Sequence, residues 1–459
     1  MTDHKISSSF RDPSGFLFRR NGILYRQVNQ SYAKGYDKFM SGGLYEELTR
    51  RGFLVSHQQV DVKPEDPDKA YKIIQPELVP FISYPYEWSF SQLKDAALLT
   101  LEINKLALGK GMILKDASAY NIQFVDGKPL LIDSLSFDIY HKGKPWDGYR
   151  QFCQHFLAPL ALAAYVDVRL MQLCRNYIDG IPLDLASRLL PARTHLGLSG
   201  LNMHIHIHAN LQKQYADKQV TRQETVGLPK EALINLLNGL IKTVQQLTWQ
   251  PKGTEWGDYY SATNYSDDSL RKKGELVAQF IEVCKPSAVW DLGANNGVFS
   301  REAAKRGIFT VASDIDPAAV EKNYLAVKAH NEKNLLPLVL DLTNPSPAIG
   351  WANCERDSFG QRGPVDMLLA QALIHHLAIS NNLPLNLIAD YFASLAKWAV
   401  VEFVPKSDSQ VQRLLLTRKD IFPNYTEEGF EAAFSDFFKI EKKEKVPGSE
   451  RTLYLLKKK

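Results

Sequence analysis

Two carboxylates and two glycines in the last third of the chain are spaced to hold a ligand. The run Val289-Trp290-Asp291-Leu292-Gly293-Ala294-Asn295-Asn296-Gly297 is apolar up to an acid and then rich in glycine. It reads as a strand that turns sharply into a helix, because glycine lets the backbone reverse and approach a ligand closely. The following helix offers its N-terminus at the same place. In open parallel sheets, ligands bind outside the carboxyl ends of the strands. About 20 residues past the turn, Asp314 closes a second apolar run, where a carboxylate can accept hydrogen bonds from two ribose hydroxyls. A dinucleotide site would show GxGxxG. Here the second glycine position is Asn295 and the spacing is GxxxG, so a pyrophosphate would meet a side chain.

The pattern resembles the DLGxxxG first motif of class I S-adenosylmethionine-dependent methyltransferases. The resemblance implies that Asp291 and the turn residues Gly293, Ala294, Asn295 and Gly297 hold the amino-acid end of the cofactor. It implies Asp314, with Ile315 beside it, at the ribose and Asp341 near the adenine. The stretch from Val365 to Leu377 resembles the family's fourth motif with its His-His-Leu ending, which puts Gln371 at the cofactor. Four motifs in the family's order span residues 267–459. The competing reading is an ordinary strand-to-helix turn in another doubly wound fold, since fold does not fix function.

Methyl transfer is an in-line displacement that depends on positioning the acceptor and, for some acceptors, on removing a proton. His375 and His376 stand where the site would open, and histidine titrates near neutrality, so either could act as base. Packing against the cofactor loop is the alternative for one of them. Glu402, at the end of the VVEFV strand, is expected to bind the acceptor or hold a loop. Residues 342–363 form a long stretch expected to be a lid or acceptor loop. Asp366 is expected to be structural, at the start of its strand. After the fourth strand stands Ala370-Gln371-Ala372-Leu373, without the [DNS]PP[YFW] segment of nucleic-acid amino-methylating enzymes. No Pro-Cys pair of the cytosine C5 type occurs either, so a nucleic-acid acceptor is not supported.

A second constellation lies near the N-terminus. Lys115-Asp116-Ala117-Ser118-Ala119-Tyr120-Asn121 is followed by a hairpin and by Leu130-Leu131-Ile132-Asp133. This resembles the catalytic segment of protein kinase-like folds and aminoglycoside phosphotransferases. The resemblance implies Asp116 as base, Asn121 and Asp133 as metal ligands, and ATP with Mg²⁺ as further cofactors. It spans residues 16–215, but its specific part is 115–133. The departures are Leu114-Lys115 before the acid, Ser134-Leu135 after Asp133, and the lack of a Gly-rich phosphate loop or a clear strand lysine; Lys72 lies too near the hinge-like stretch. The other reading is an ATP-independent scaffold that helps bind the acceptor. His204, His206 and His208 alternate, which on a strand could bind metal, but their neighbours favour a helix. Trp249, Trp256, Tyr259, Tyr260 and Tyr265 could stack on a ligand, Tyr260 and Tyr265 over the cofactor; linker packing is the plainer reading.

The elements that must position these residues follow from pattern. Asn21-Gly22 and Asp126-Gly127 mark hairpins within 16–28 and 122–132. Helices are expected over 31–51 and 91–108, a strand over 71–83, and mostly helix over 148–248. Beyond 266, strands at 288–292, 308–313, 336–340, 365–370 and 398–404 alternate with helices, and strands at 436–441 and 451–456 form a closing antiparallel pair. The expected fold is therefore α/β: a C-terminal Rossmann-like doubly wound sheet of seven strands, the last antiparallel. Before it stands an α+β kinase-like domain. The domains expected are 1–215, a helical and aromatic linker at 216–266, and 267–459.

At 459 residues the chain has room for two or three domains. A net charge of +4 is too small to argue for nucleic acid. Four scattered cysteines exclude a disulfide framework and a thiolate zinc site. The N-terminus lacks the apolar stretch of a signal peptide, and the longest apolar run, 156–166, contains Pro159 and is short of the ~20 residues of a membrane span. A cytoplasmic protein is expected. The whole chain resembles bacterial proteins described as class I methyltransferases, some compared with nodulation proteins, that carry a domain like this N-terminal one. That implies O-methylation (less readily N-methylation) of a small-molecule or saccharide acceptor. Two rivals stand beside it: a bifunctional kinase–methyltransferase, and a protein that binds the cofactor without catalysis.

Overall fold

The structure is a computed structural model describing residues 4–196, 199–211, 229–252, 267–416 and 418–459. It divides into two units: residues 1–249 with 349–356, and residues 250–348 with 357–459.

In unit 1, β2 (Gly15–Arg20) and β3 (Ile23–Asn29) form the expected hairpin. Its turn residues Asn21 and Gly22 have φ of 49° and 77°, the left-handed pair that matches strand twist. With β1 (His4–Lys5), β4 (His57–Gln59) and β5 (Ala70–Pro76) they make an antiparallel sheet of order β1-β2-β3-β5-β4. Strand β5 stops short of the expected 71–83 because Pro76 and Pro80 remove ladder donors. The helix expected over 31–51 is two, α1 (Ala33–Ser41) and α2 (Leu44–Arg50), parted at Gly42-Gly43, with Gly43 at φ 74°.

Helix α3 (Phe90–Gly109) opens on a reciprocal cap between Ser89 and Gln92 and buries Leu93, Ala96, Ala97 and Leu101. Two short antiparallel ribbons follow: β6 (Met112–Leu114) with β9 (Phe137–Ile139), and β7 (Ile122–Val125) with β8 (Lys128–Leu131). They hold residues 115–121 and 132–136 between them in the chain. Short helical segments then run from Tyr149 to Ile207. Helix α4 (Lys230–Gln246) packs on α3, and Lys94 Nζ donates to the carbonyls of Gln245 and Leu247. The helical part of the expected linker is therefore a layer of unit 1. Residues 216–228 and 253–266, including Trp256, Tyr259, Tyr260 and Tyr265, lie outside the described residues.

Unit 2 is a seven-stranded sheet of order β12-β11-β10-β13-β14-β16-β15. Its strands are β10 (Ala288–Leu292), β11 (Phe309–Asp314), β12 (Leu335–Val339), β13 (Val365–Ala370), β14 (Ala396–Phe403), β15 (Phe438–Lys445) and β16 (Thr452–Lys458). The first five pair parallel, and β16 is antiparallel to both β14 and β15. Helices α5 (Asp267–Cys284), α6 (Ser300–Ala304), α7 (Pro317–His330) and α8 (Leu385–Leu395) fill the intervals. The central strands are mainly apolar, as a sheet covered on both faces requires, with their acids at or near strand ends. Val289, Met367, Leu369, Val400 and Leu453 pack against Val277, Phe280, Ile281 and Phe299. The chain winds outward from β10 to β12 and returns to β13 on the other side of β10, so the strand order reverses there. That reversal opens a crevice at the carboxyl ends of β10 and β13. No helix among the described residues is long and apolar enough to cross a membrane.

Candidate active site

A cavity of about 280 Å³ lies at this reversal point. Asp291, Gly293, Ala294 and Asn295 from the end of β10, Asp314 and Ile315 from the end of β11, and Asp341 after β12 all line it. Gln371, Ala372, Leu373 and His376 enter from the end of β13. The cofactor residues expected from the sequence are thus brought together in one place, except Gly297, which shapes the turn from behind. Gly297 has φ 80°, and a Cβ there would come within 2.6 Å of the Asn323 side chain. Gly293 has φ 72° and faces Leu373, 3.1 Å from where a Cβ would be.

Hydrogen bonds fix the turn. Asp314 Oδ2 accepts from the Asn295 amide at 2.7 Å, and Oδ1 accepts from the Asp316 amide at 2.9 Å. Asn295 is held at φ 50°. Asp291 Oδ2 accepts from Ser300 Oγ at 2.6 Å. Its Oδ1 is buried with no partner among the described residues, as is Gln371 Oε1. Burial pushes Asp291 up to about 7 despite the Ser300 hydrogen bond, and Asp314 up to about 6. Two buried acceptors with nothing to accept, beside two carboxylates held out of water, suit a ligand that brings N–H donors and positive charge. The amino-acid end of S-adenosylmethionine has that chemistry, so the residues present fit the cofactor. Asp341 Oδ1 is taken by the amide and hydroxyl of Thr343.

The expected catalytic residues part company. His376 lines the cavity, whereas His375 is not among the lining residues and is fully buried. Their rings are 4.1 Å apart. Burial, with Arg451 nearby, lowers His376 to about 4, so its imidazole is neutral at pH 7; burial and the neighbouring His376 hold His375 well below the usual imidazole range. Glu402 does not reach the mouth. It is fully buried, pairs with Lys273 Nζ at 2.7 Å and accepts from the Ala372 amide at 2.6 Å. Its role is to pin the turn after β13, where Ala372 stands at φ 50°. Arg451 lies 3.8 Å from Glu402 and binds Asp408 at 2.8 Å, making a buried chain of alternating charges. Lys273 and Arg451 escaped the sequence reading because their partners lie far along the chain; Lys273 also lines the cavity. Asp366 is structural as expected, held down to about 2 by Lys397 and Ser287.

The stretch 342–363 divides. Leu342 and Thr343 line the cavity, but residues 349–356 belong to unit 1. There Arg11 donates twice to Glu355, at 2.7 and 2.8 Å, and Arg356 lies over the Tyr120 ring. This middle part is fastened, not a free lid.

The second constellation also gathers. Asp116 accepts from the Ser118 amide and from Gln151, and Asn121 donates to Ser136 Oγ. Asp133 is paired with Arg26 Nη1 at 2.6 Å, and Lys115 reaches Ser14 Oγ at 2.8 Å. Arg26, in the middle of β3, supplies the strand cation at this centre, where the sequence shows no clear strand lysine. The residues do not fit a metal: Asp133 already has a cation on it. Of the histidines of 204–208, His204 and His206 are buried in a helical turn, His204 on Tyr149 and His206 on Ser187 and Thr194, and His208 is half-buried. No group of three potential metal ligands occurs among the described residues.

A doubly wound unit with a ligand cavity at its strand reversal, following an α+β unit, defines an α/β cofactor-site protein of two parts. The chain belongs to the family of the nodulation protein NoeA of Rhizobium meliloti (strain 1021), being 35% identical to it over 462 positions that cover 98% of this chain and 95% of that protein. No family model matches the sequence. Solved structures similar to the chain include magnesium protoporphyrin IX methyltransferase of Synechocystis PCC 6803 with bound SAH (15% identity, 44% of this chain and 92% of that one, TM-score 0.32). Others are the N-methyltransferase NodS of Bradyrhizobium japonicum WM9 (10% identity, 42% and 98%, TM-score 0.32) and the bifunctional kinase-methyltransferase WbdD (14% identity, 47% and 45%, TM-score 0.30).

Proposed function

We propose that the protein is an S-adenosylmethionine-dependent methyltransferase that methylates a hydroxyl of a small-molecule or saccharide acceptor. The observation that carries this is the pair of unpartnered buried acceptors, Asp291 Oδ1 and Gln371 Oε1, beside Asp314 in one cavity. When bound, the cofactor supplies an electrophilic methyl on a sulfonium. Asp291 and Gln371 would accept from its ammonium, and Asp314 from the ribose hydroxyls. His376, Ser380, Asn381 and Leu414 line another part of the cavity, which offers hydrogen bonds and an apolar surface to a hydroxylated acceptor. Neutral His376 would accept the acceptor's hydroxyl hydrogen and take up its proton as the acceptor oxygen receives the methyl group.

Calorimetric titration with S-adenosylmethionine tests the cofactor site. The wild type binds, and Asp314→Ala weakens binding about 100-fold, the loss of two hydrogen bonds to a charged group. Transfer of a labelled methyl group to a panel of neutral oligosaccharides and small alcohols tests the reaction. Absence of cofactor binding refutes the proposal. Binding with no transfer to any fraction of a cell extract favours the non-catalytic alternative.

A further inference from the structure

The acidic centre of unit 1 has the spacing of a metal-binding phosphotransfer site, yet Asp133, the acid after the hairpin, already has a cation of the same chain on it. Arg26 Nη1 lies 2.6 Å from Asp133 Oδ1, which also accepts from the Leu135 amide at 2.8 Å. On the other side, Lys115 Nζ is 2.8 Å from Ser14 Oγ and 3.7 Å from Asp12. Of the two acids, Asp133 thus faces a cation, Arg26, while Lys115 is paired with Asp12 and Asp116 is held by the Ser118 amide and Gln151.

A Mg²⁺ ion ligated by Asp133 would sit about 2.1 Å from a carboxylate oxygen. With Oδ1 already in contact with a guanidinium, the two cations would lie within a few ångströms of each other, in a place screened little by water. One of them must leave. Arg26 has nowhere to go: β3 is paired on both sides, Arg26 facing Leu17 of β2 and Ile74 of β5, and the residue is 8% exposed. Asn121 turns its amide nitrogen to Ser136, which also leaves it poorly set for a metal.

We infer that Arg26 is the resident counter-cation of this centre, and that unit 1 excludes divalent metal where its sequence pattern predicts one. The inference stands apart from the methyltransferase reading, since it concerns residues of the other unit.

Mn²⁺ alone, added to the full chain and followed by the electron paramagnetic resonance signal of the free ion, tests it. Wild type and Arg26→Lys leave the signal unchanged. Arg26→Met, folded by circular dichroism, takes up one ion per chain, and a second change, Asp133→Asn, removes that uptake. Stoichiometric uptake by wild type that Asp133→Asn abolishes overturns the inference, whether or not Arg26→Met folds. A folded Arg26→Met that takes up no ion overturns it equally.

Discussion

Each unit holds a pair of carboxylates at the heart of its candidate site, and one of the four, Asp133, differs from the rest by carrying its own cation. In unit 1, Asp133 touches a guanidinium and Asp116 is held by amide donors. In unit 2, Asp291 and Asp314 line a cavity, and neither forms an ion pair with a cation among the described residues. Burial pushes up the carboxylates of unit 2, to about 7 and about 6, and raises Asp116 of unit 1 as well. The lesson is that spacing along the chain nominates a carboxylate, while the nearest cation decides its use. An acid with its counter-charge already in place is a finished structural element, and one without is a binding site waiting for charge.

The sharpest way to break this contrast is Glu402→Ala. Glu402 belongs to unit 2 but is paired, so it should behave as structure: about 3–5 kcal/mol of stability lost, because Lys273 is left buried and unpaired. A shift of the urea midpoint measures it. If stability is unchanged and only turnover falls, the assignment of Glu402 to the turn is wrong. Next in size is His376→Ala, which should lower kcat about 100-fold, the lower range for loss of a general base, with cofactor affinity unchanged. A fall in affinity instead would make His376 part of the cofactor wall.

The smallest effect is graded with pH. Binding of a cationic ligand requires Asp291 ionised, so affinity for S-adenosylmethionine should fall about tenfold per pH unit below about 7 and level off above it. The same raised value means that the folded state holds a proton which the unfolded chain releases. Asp291 therefore lowers stability as pH rises from about 4 to about 7. Over pH 6–8 the neutral His376 contributes no titration to kcat. Calorimetry across pH 5.5–8.5 separates these, and Asp291→Asn should flatten the affinity profile.

Much of this was legible beforehand, for local reasons. Asn21-Gly22 and Asp126-Gly127 carry their turn geometry in two residues. The five parallel strands are short, mainly apolar runs, and each is expected within three residues of where it lies. The cavity lining followed because its residues sit at strand ends, where the fold alone aims them. Pairings across long stretches of sequence could not be read. Glu402 looks like any acid at a strand end, and only its bond to Lys273, 129 residues away, makes it structural. Arg26 and Asp133 meet from different ribbons, and the strand of Arg26 shows nothing local that sets it apart from an ordinary surface arginine.

The path of the chain through the two units has a consequence for how the protein can be made. Unit 1 is not a contiguous stretch: it includes residues 349–356, which come after almost 100 residues of unit 2. Glu355, the acid that receives Arg11, therefore emerges from the ribosome after β10, β11 and β12. A gene fragment ending near residue 249 would encode an N-terminal piece that lacks a segment of its own body, with Arg11 and Tyr120 exposed where Glu355 and Arg356 should dock. Producing unit 1 apart therefore calls for grafting that eight-residue segment back.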